Sequence, residues 1–381
     1  MSVKIIFDKN NDHKDILRKE SGKEFDESFA KSYLERTAST AYYKSLDQGR
    51  PEDQVQTKIK LSKLLEYVKN PRNFVSIGAD GGEEIHAAVS LFGVKGTDVY
   101  GIDLDSKTLR LARERLDKYG LSANLIIGSA VNLPLASNSV DILLASSIMH
   151  EVYSYMPDGR EAWRKSFVEA ARTLSEGGVL LVRDFSATPS DINVDVEIKS
   201  GLSQRFYDYF RSGYMVFHGW GDKAASISDR RTGMEEDYPK LDSKTNKVNL
   251  TFSRASELIM HFRNFKADYN KGLVSFDDPM WKEINEIYLP PDPDRVDFMA
   301  MSRVDYANRI LHVANASLTN TLYKLECVAN DISPRPLTAE ALNEDFKLQI
   351  VENDKASEEL LLEVTNKMEL VFKKVRKDAF L

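Results

Sequence analysis

Val75-Ser76-Ile77-Gly78-Ala79-Asp80-Gly81-Gly82-Glu83-Glu84 is an apolar run that passes straight into a glycine turn, with a helical pattern shortly after it. A glycine-rich strand-to-helix turn is where an open parallel sheet receives a cofactor. The flanking sequence has the same texture. Apolar runs at Phe74–Ile77, Val99–Leu104, Leu125–Ile127, Val140–Ala145 and Val179–Val182 alternate with helical patterns. One helix carries Leu109, Ala112 and Leu116 and stops at Gly120. Another carries Trp163, Phe167, Ala171 and Leu174 and stops at Gly177–Gly178, where a C-cap glycine belongs. Strand–helix alternation of this length specifies βαβ units, hence an α/β fold with a doubly wound, mostly parallel sheet and helices on both faces.

Outward from this core the pattern changes. Residues 1–70 read as a helical N-terminal segment: Phe29, Tyr33, Thr37 and Tyr42–Tyr43 give one apolar face, Leu61, Leu64, Leu65 and Val68 another, with a break at Gly49-Arg50-Pro51. Residues 71–185 are the cofactor-binding core and 186–250 an aromatic-rich insert. Residues 251–330 read as the remainder of the sheet with a second insert: a helix over Ser253–Phe262, then strands near Phe265–Val274 and Leu318–Val328. Residues 331–381 read as a charged helical tail, because Leu361, Val364, Met368, Val371 and Val375 step by three and four. Lys373, Lys374, Arg376 and Lys377 then suit the C-terminal end of a helix dipole.

Composition narrows the class. The chain has 381 residues, 42% hydrophobic, with a formal net charge of −7, which argues against a broadly basic, nucleic-acid-coating surface. Its one cysteine, Cys327, rules out an intramolecular disulfide and a cysteine-built zinc site, and no histidine pair has metal-ligand spacing, so no metal is expected. No apolar stretch approaches the roughly 20 residues of a membrane span. Met1 to Lys31 mixes acids and bases without an apolar run, so a cytoplasmic protein is expected.

The glycine turn also selects among ligands. A dinucleotide fingerprint would need glycines where Asp80 and Glu83 stand, and a triphosphate loop would need a Gly-Lys-Ser/Thr ending. Acids there repel a pyrophosphate seated on the following helix. S-adenosylmethionine, with no phosphate and with sulfonium and ammonium cations, is compatible with an acidic loop. Asp103 follows at the end of the second strand, about 20 residues on, where a carboxylate can accept both ribose hydroxyls. Gly128-Ser129-Ala130 follows the third strand, where an adenine edge would lie.

Residues 72–185 resemble a class I S-adenosylmethionine-dependent methyltransferase of the broad type that includes ubiquinone- and small-molecule-modifying enzymes. The resemblance rests on Val75–Gly82, Gly101-Ile102-Asp103-Leu104-Asp105, Gly128–Pro134, Val140–Ser146 and Leu174–Val182, in that order. It implies a seven-stranded Rossmann-like sheet and S-adenosyl-L-methionine as cofactor. By the resemblance, Gly78 and Gly82 let the backbone approach the methionine moiety. Asp103 holds the ribose, Leu104 packs on adenine, Ser129 and Ala130 meet the adenine amino group, and Ser146 and Ser147 line the mouth. Two positions depart from the family pattern: Ser76 stands where an acid is usual and Asp80 where a glycine is usual, so Asp80 is expected to take over the ammonium contact.

Methyl transfer asks the protein to position the acceptor and, for oxygen or nitrogen acceptors, to remove a proton. His150 and Glu151, just after the fourth strand, are the candidates for that chemistry, against the alternative that His150 merely caps the strand. Tyr153, Arg183, Tyr214, His218 and Trp220 are candidate substrate contacts, with Phe206 to Trp220 read as a cover over the acceptor or as the core of a helical cap. Lysines and arginines in 186–280 number 13 against 14 acids, so this cover carries no preference for phosphate. The expectation is a small organic acceptor methylated on oxygen or nitrogen. The alternatives are an RNA or protein methyltransferase, and a catalytically inactive scaffold; a homodimer or a protein partner would be held through the terminal helices.

Overall fold

The computed structural model describes residues 51–79, 81–156, 159–184, 192–211, 238–270, 275–276, 303–333, 342–351 and 367–377. These fall into two compact units. The first is drawn from residues up to 184, from 307–331 and from 369 onward; the second comprises 185–306 and 332–368.

The first unit is built on a seven-stranded sheet. Its strands are β1 (Phe74–Ile77), β2 (Val99–Asp103), β3 (Asn124–Ile127), β4 (Val140–Ser146), β5 (Leu174–Asp184), β8 (Tyr323–Ser333) and β10 (Lys367–Arg376), in the order β3-β2-β1-β4-β5-β10-β8. β3, β2, β1, β4 and β5 pair in parallel, with Ser76 opposite Gly101 on one side and Leu144 on the other. The order reverses at β1, so the crevice beyond the carboxyl ends of β1 and β4 is the place such a sheet offers a ligand. Phe74, Val99, Leu125, Ile142, Leu144, Val179 and Leu181 form one buried cluster with residues of three helices: α1 (Pro51–Ser62), α2 (Glu83–Phe92) and α3 (Ser106–Lys118). β4 is buried from Val140 to Ala145 without alternation, as a strand covered on both faces must be. After α4 (Met149–Tyr155), α5 (Gly159–Thr173) packs on β5, with Trp163 and Phe167 buried in edge-to-face contact, ring centroids 4.5 Å apart. α1 opens on Pro51, whose missing N–H costs nothing in a first turn. Residues 1–50 lie outside the described residues, so the apolar face read on Phe29, Tyr33 and Thr37 does too.

Three expectations are corrected. Gly177 and Gly178 do not close a helix: α5 ends at Thr173, and Leu174 already pairs with Val140. The next pair is Ile142 with Val179, so β5 bulges over Ser175–Gly178, and Gly177 supplies the φ of +78° this needs. The tail is not helical either. β9 (Phe346–Ile350) and β10 occupy its described part, and Met368 and Val371 are buried in β10 while 361 and 364 lie outside the described residues. A step of three and four over one turn does not separate a helix face from a strand buried on both sides, and Lys367 to Phe372 is buried without a break. The strand expected from Phe265 is instead the continuation of a helix, α7 (Phe252–Asn270), whose Ala255, Leu258, Ile259, Phe262 and Phe265 keep helical spacing and are buried.

The second unit holds β6 (Asn193–Ile198), β7 (Lys247–Thr251) and β9 as an antiparallel sheet in the order β7-β6-β9, with α6 (Gly201–Arg211) and α7. Val194, Val196, Leu250 and Leu348 join Phe206, Tyr207, Phe210, Phe262 and Phe346 in one core. β7 is thus not part of the large sheet. Phe206, Tyr207 and Phe210 are fully buried here, and the Tyr207 hydroxyl donates to the Pro239 carbonyl at 2.6 Å, so the described part of the aromatic run serves packing. Of the helix Arg303–Ser317, α8, residues from Ala307 belong to the first unit.

Candidate functional site

Beyond β1 the chain needs backbone that side-chain-bearing residues resist. Gly78 has φ +72° and Gly82, the N-cap of α2, φ +82°. The Gly78 N–H donates to the Ile102 carbonyl at 2.8 Å, fixing the turn to the end of β2. Asp80 lies outside the described residues. At the end of β2, half-buried Asp103 has Oδ1 fixed by the Asp105 N–H at 2.9 Å, and Asp105 in turn caps α3. Leu104 beside it is half-buried. After β3, the Gly128 N–H reaches back to the Asp103 carbonyl at 3.0 Å, which brings the turns after β2 and β3 together. Ser129 is 2% exposed and its Oγ accepts from the Val131 N–H, so this hydroxyl shapes the turn; Ala130 is buried next to it.

The carboxyl edge of β1 and β4 carries an ionic cluster. Ser76 is fully buried and its Oγ donates to Glu84 Oε2 at 2.8 Å; Lys60, from α1, donates to Glu84 Oε1 at 2.6 Å and to Ser146 Oγ at 3.0 Å. The carboxylate absent from position 76 therefore stands one hydrogen bond away, on the first turn of α2. Glu83 turns the other way and pairs with the Arg115 guanidinium, which also donates to the Gly81 carbonyl. A phosphate at the start of α2 would meet both acids in its first turn.

Past β4, Ser147 takes φ +59°, unusual for a side-chain-bearing residue, and its N–H donates to the Arg183 carbonyl at 2.6 Å. This turn delivers His150 onto Asp184 at the end of β5. The Asp184 carboxylate accepts the His150 backbone N–H at 3.0 Å through Oδ2, and Oδ1 lies 2.7 Å from His150 Nδ1. The side chains are 4% and 1% exposed. Glu151 is half-buried in the first turn of α4. Arg183 Nε donates to Glu369 at 3.3 Å, and Glu369 also accepts from Lys63 at 2.6 Å, so Arg183 is committed to β10. Tyr153 lies on α4 with its side chain outside the described residues; Tyr214, His218 and Trp220 lie outside them altogether. Cys327 is half-buried, its Sγ donating to the Ala329 carbonyl, and burial pushes its thiol pKa up, as for a packing residue.

Lys60, Glu84, Asp184 and Arg115 were missed by sequence reasoning. Glu84 stood in view but reads as one more loop acid, and Lys60 meets Ser146 across 86 positions. Asp184 follows the Val179–Val182 run by two positions and carries no further signal in the sequence.

These groups fit S-adenosylmethionine: a glycine turn, a carboxylate at the tip of β2, opposed charges for an amino-acid end, and two acids in the helix turn where a phosphate would sit. Sheet order and site are those of a Rossmann-like α/β domain whose open edge can take such a ligand. Residues 75–182 match the family described as a methyltransferase domain, and that match implies S-adenosylmethionine as the cofactor. Solved structures with a similar fold include three of different coverage. A Pyrococcus horikoshii protein is 18% identical over 37% of this chain and 57% of that one, with a TM-score of 0.32. The Bacillus subtilis YcgJ protein is 13% identical over 84% of this chain and 98% of that one, with a TM-score of 0.39. An S-adenosylmethionine-dependent methyltransferase from Aquifex aeolicus is 19% identical over 39% of this chain and 75% of that one, with a TM-score of 0.32. No described helix is long and apolar enough to cross a membrane.

Asp103→Ala is expected to weaken binding of S-adenosylhomocysteine by about 1.5–3 kcal/mol, the range for hydrogen bonds to a charged group. Calorimetric titration checks this, and unchanged affinity in a folded variant removes Asp103 from the site.

Proposed function

We propose that this methyltransferase acts on an oxygen or nitrogen of a small organic acceptor, with His150 as the base. The observation that carries the reading is the His150–Asp184 pair at the carboxyl ends of β4 and β5. The cofactor supplies a methyl group already activated on a sulfonium. What remains for the protein is to align the acceptor and take its proton, which an oxygen or nitrogen acceptor must lose. With Nδ1 donating to Asp184, the lone pair of the imidazole resides on Nε2, and Asp184 stabilises the imidazolium once Nε2 has taken the proton. Asp184 acts through His150 and is a positioning residue.

Charge supports a small acceptor. Lys63, Arg115, Arg172, Arg183 and Lys374 are each tied to carboxylates or carbonyl oxygens of the same unit, which leaves these cations committed internally rather than aligned for a phosphodiester.

The test is transfer of labelled methyl from S-adenosylmethionine to three fractions of a cell extract: dialysable small molecules, RNA and protein. Label is expected in the dialysable fraction. Label confined to RNA or to protein overturns the small-acceptor reading in favour of that macromolecule.

A further inference from the structure

Three features of the first unit stand outside the proposed chemistry: the Arg115–Glu83 pair at the glycine turn, the buried Lys374 ammonium, and the Lys60–Glu84 pair at the edge of β1 and β4. Arg115 and Lys374 are held by backbone carbonyls and read as packing devices. Lys60–Glu84 differs, because it stands at the carboxyl edge of the large sheet, bonded to Ser76 of β1 and Ser146 of β4.

We propose that Lys60 and Glu84 are a two-ended receptor for the zwitterionic amino-acid end of the cofactor, Glu84 taking its ammonium and Lys60 its carboxylate; this rests on the cofactor assignment above. Lys60 is 8% exposed, and the two side chains are 9% and 14% exposed. Two acceptors, Glu84 Oε1 at 2.6 Å and Ser146 Oγ at 3.0 Å, already converge on an ammonium nitrogen, that of Lys60 itself. Ser76 holds the second Glu84 oxygen, so the carboxylate stays aimed at the edge of β4 while its partner changes. Lys60 sits on the last turn of α1, next to fully buried Leu61, so its stem is anchored while its head is polar-bonded.

The electrostatics favour exchange of partners over loss of them. Breaking a buried ion pair by removing one charge strands the other, at a cost of several kcal/mol. A zwitterion inserted between Lys60 and Glu84 leaves each with an opposite charge. A ligand with one charge, or none, cannot do this. The pair therefore selects adenosyl ligands that carry an intact amino-acid end.

The experiment is calorimetric titration of the full chain with S-adenosylhomocysteine and with 5′-methylthioadenosine, which lacks the amino-acid end. It uses wild type, Glu84→Gln, Lys60→Met, and the exchanged double variant Lys60→Glu with Glu84→Lys. We expect each single variant to lose at least tenfold in S-adenosylhomocysteine affinity, with methylthioadenosine affinity within twofold of wild type. The exchanged variant should recover the thermal midpoint lost by the single variants while S-adenosylhomocysteine binding stays weak, because its reversed polarity opposes a tethered zwitterion. Undiminished S-adenosylhomocysteine affinity in the single variants, equal losses for both ligands, or recovery of binding in the exchanged variant each overturn the proposal and leave the pair as a latch for α1. Failure of wild type to bind S-adenosylhomocysteine at all is a separate result, and it overturns the cofactor assignment.

Discussion

Replacing His150 by glutamine is expected to slow methyl transfer 10²–10⁴-fold, the span for loss of a positioned general base, while S-adenosylhomocysteine affinity stays within about twofold. The reasoning is local. His150 is held at two atoms, its backbone N–H and its Nδ1, by the carboxylate of Asp184. Packing alone does not need a buried carboxylate and a buried imidazole; two apolar side chains would fill the space without burying charge. A pH profile separates the two roles. A base must be neutral to act, so the wild-type rate should fall as the pH drops and His150 takes up a proton. The glutamine variant should lose that acid limb. Asp184→Asn should keep the limb and shift it to lower pH, because a neutral amide no longer stabilises the imidazolium as the carboxylate does. An acid limb retained unchanged in the glutamine variant would end the assignment of His150 as the base.

Lys374→Met is expected to destabilise the fold by about 2–4 kcal/mol, from several buried acceptors left without a donor. The Lys374 ammonium is 1% exposed and donates at 2.8 Å to Asn138 Oδ1, to the Ala171 carbonyl and to the Leu174 carbonyl. Ala171 lies in the last turn of α5, so a strand lysine supplies the cation that the helix terminus favours. Burial pushes its pKa down to about 8. An unfolded lysine titrates at about 10.4, so between these values the unfolded chain binds the extra proton. Stability from this group therefore rises with pH across that window. Denaturation of wild type and variant at several pH values should show the gap between them widening from pH about 8 toward about 10. A gap that narrows with pH would contradict this account.

Lys374 also shows what the sequence could and could not disclose. Its cluster was legible as a complement to a helix dipole, but the helix it serves lies some 200 positions earlier in the chain. The parallel core was legible because its strands are short, apolar and separated by helices with glycine stops. The turn glycines, Asp103 and His150 were legible for the same reason: each follows a strand, and the carboxyl ends of parallel strands share one edge. Asp184, Lys60 and Glu84 were not, since their partners are set by strand order rather than by spacing. The departure at Ser76 was visible, yet which acid compensates for it was not; Glu84 bonds the Ser76 hydroxyl, while Asp80 lies outside the described residues. β10 was hidden by chemistry of another kind, because Glu369 and Lys374 are buried charges in a strand whose apolar residues step as a helix face would.

β10 fills the slot between β5 and β8, although residues 185–322 and 334–366 intervene in sequence. A ribosome therefore delivers β5 long before the strand that will flank it. Until residues 367–376 emerge, β5 and β8 both present unpaired backbone, the kind of edge that recruits strands from other chains. Synthesis of this protein should thus pass through a long interval in which its central sheet is open on one side, and shielding by a chaperone during that interval would raise its yield.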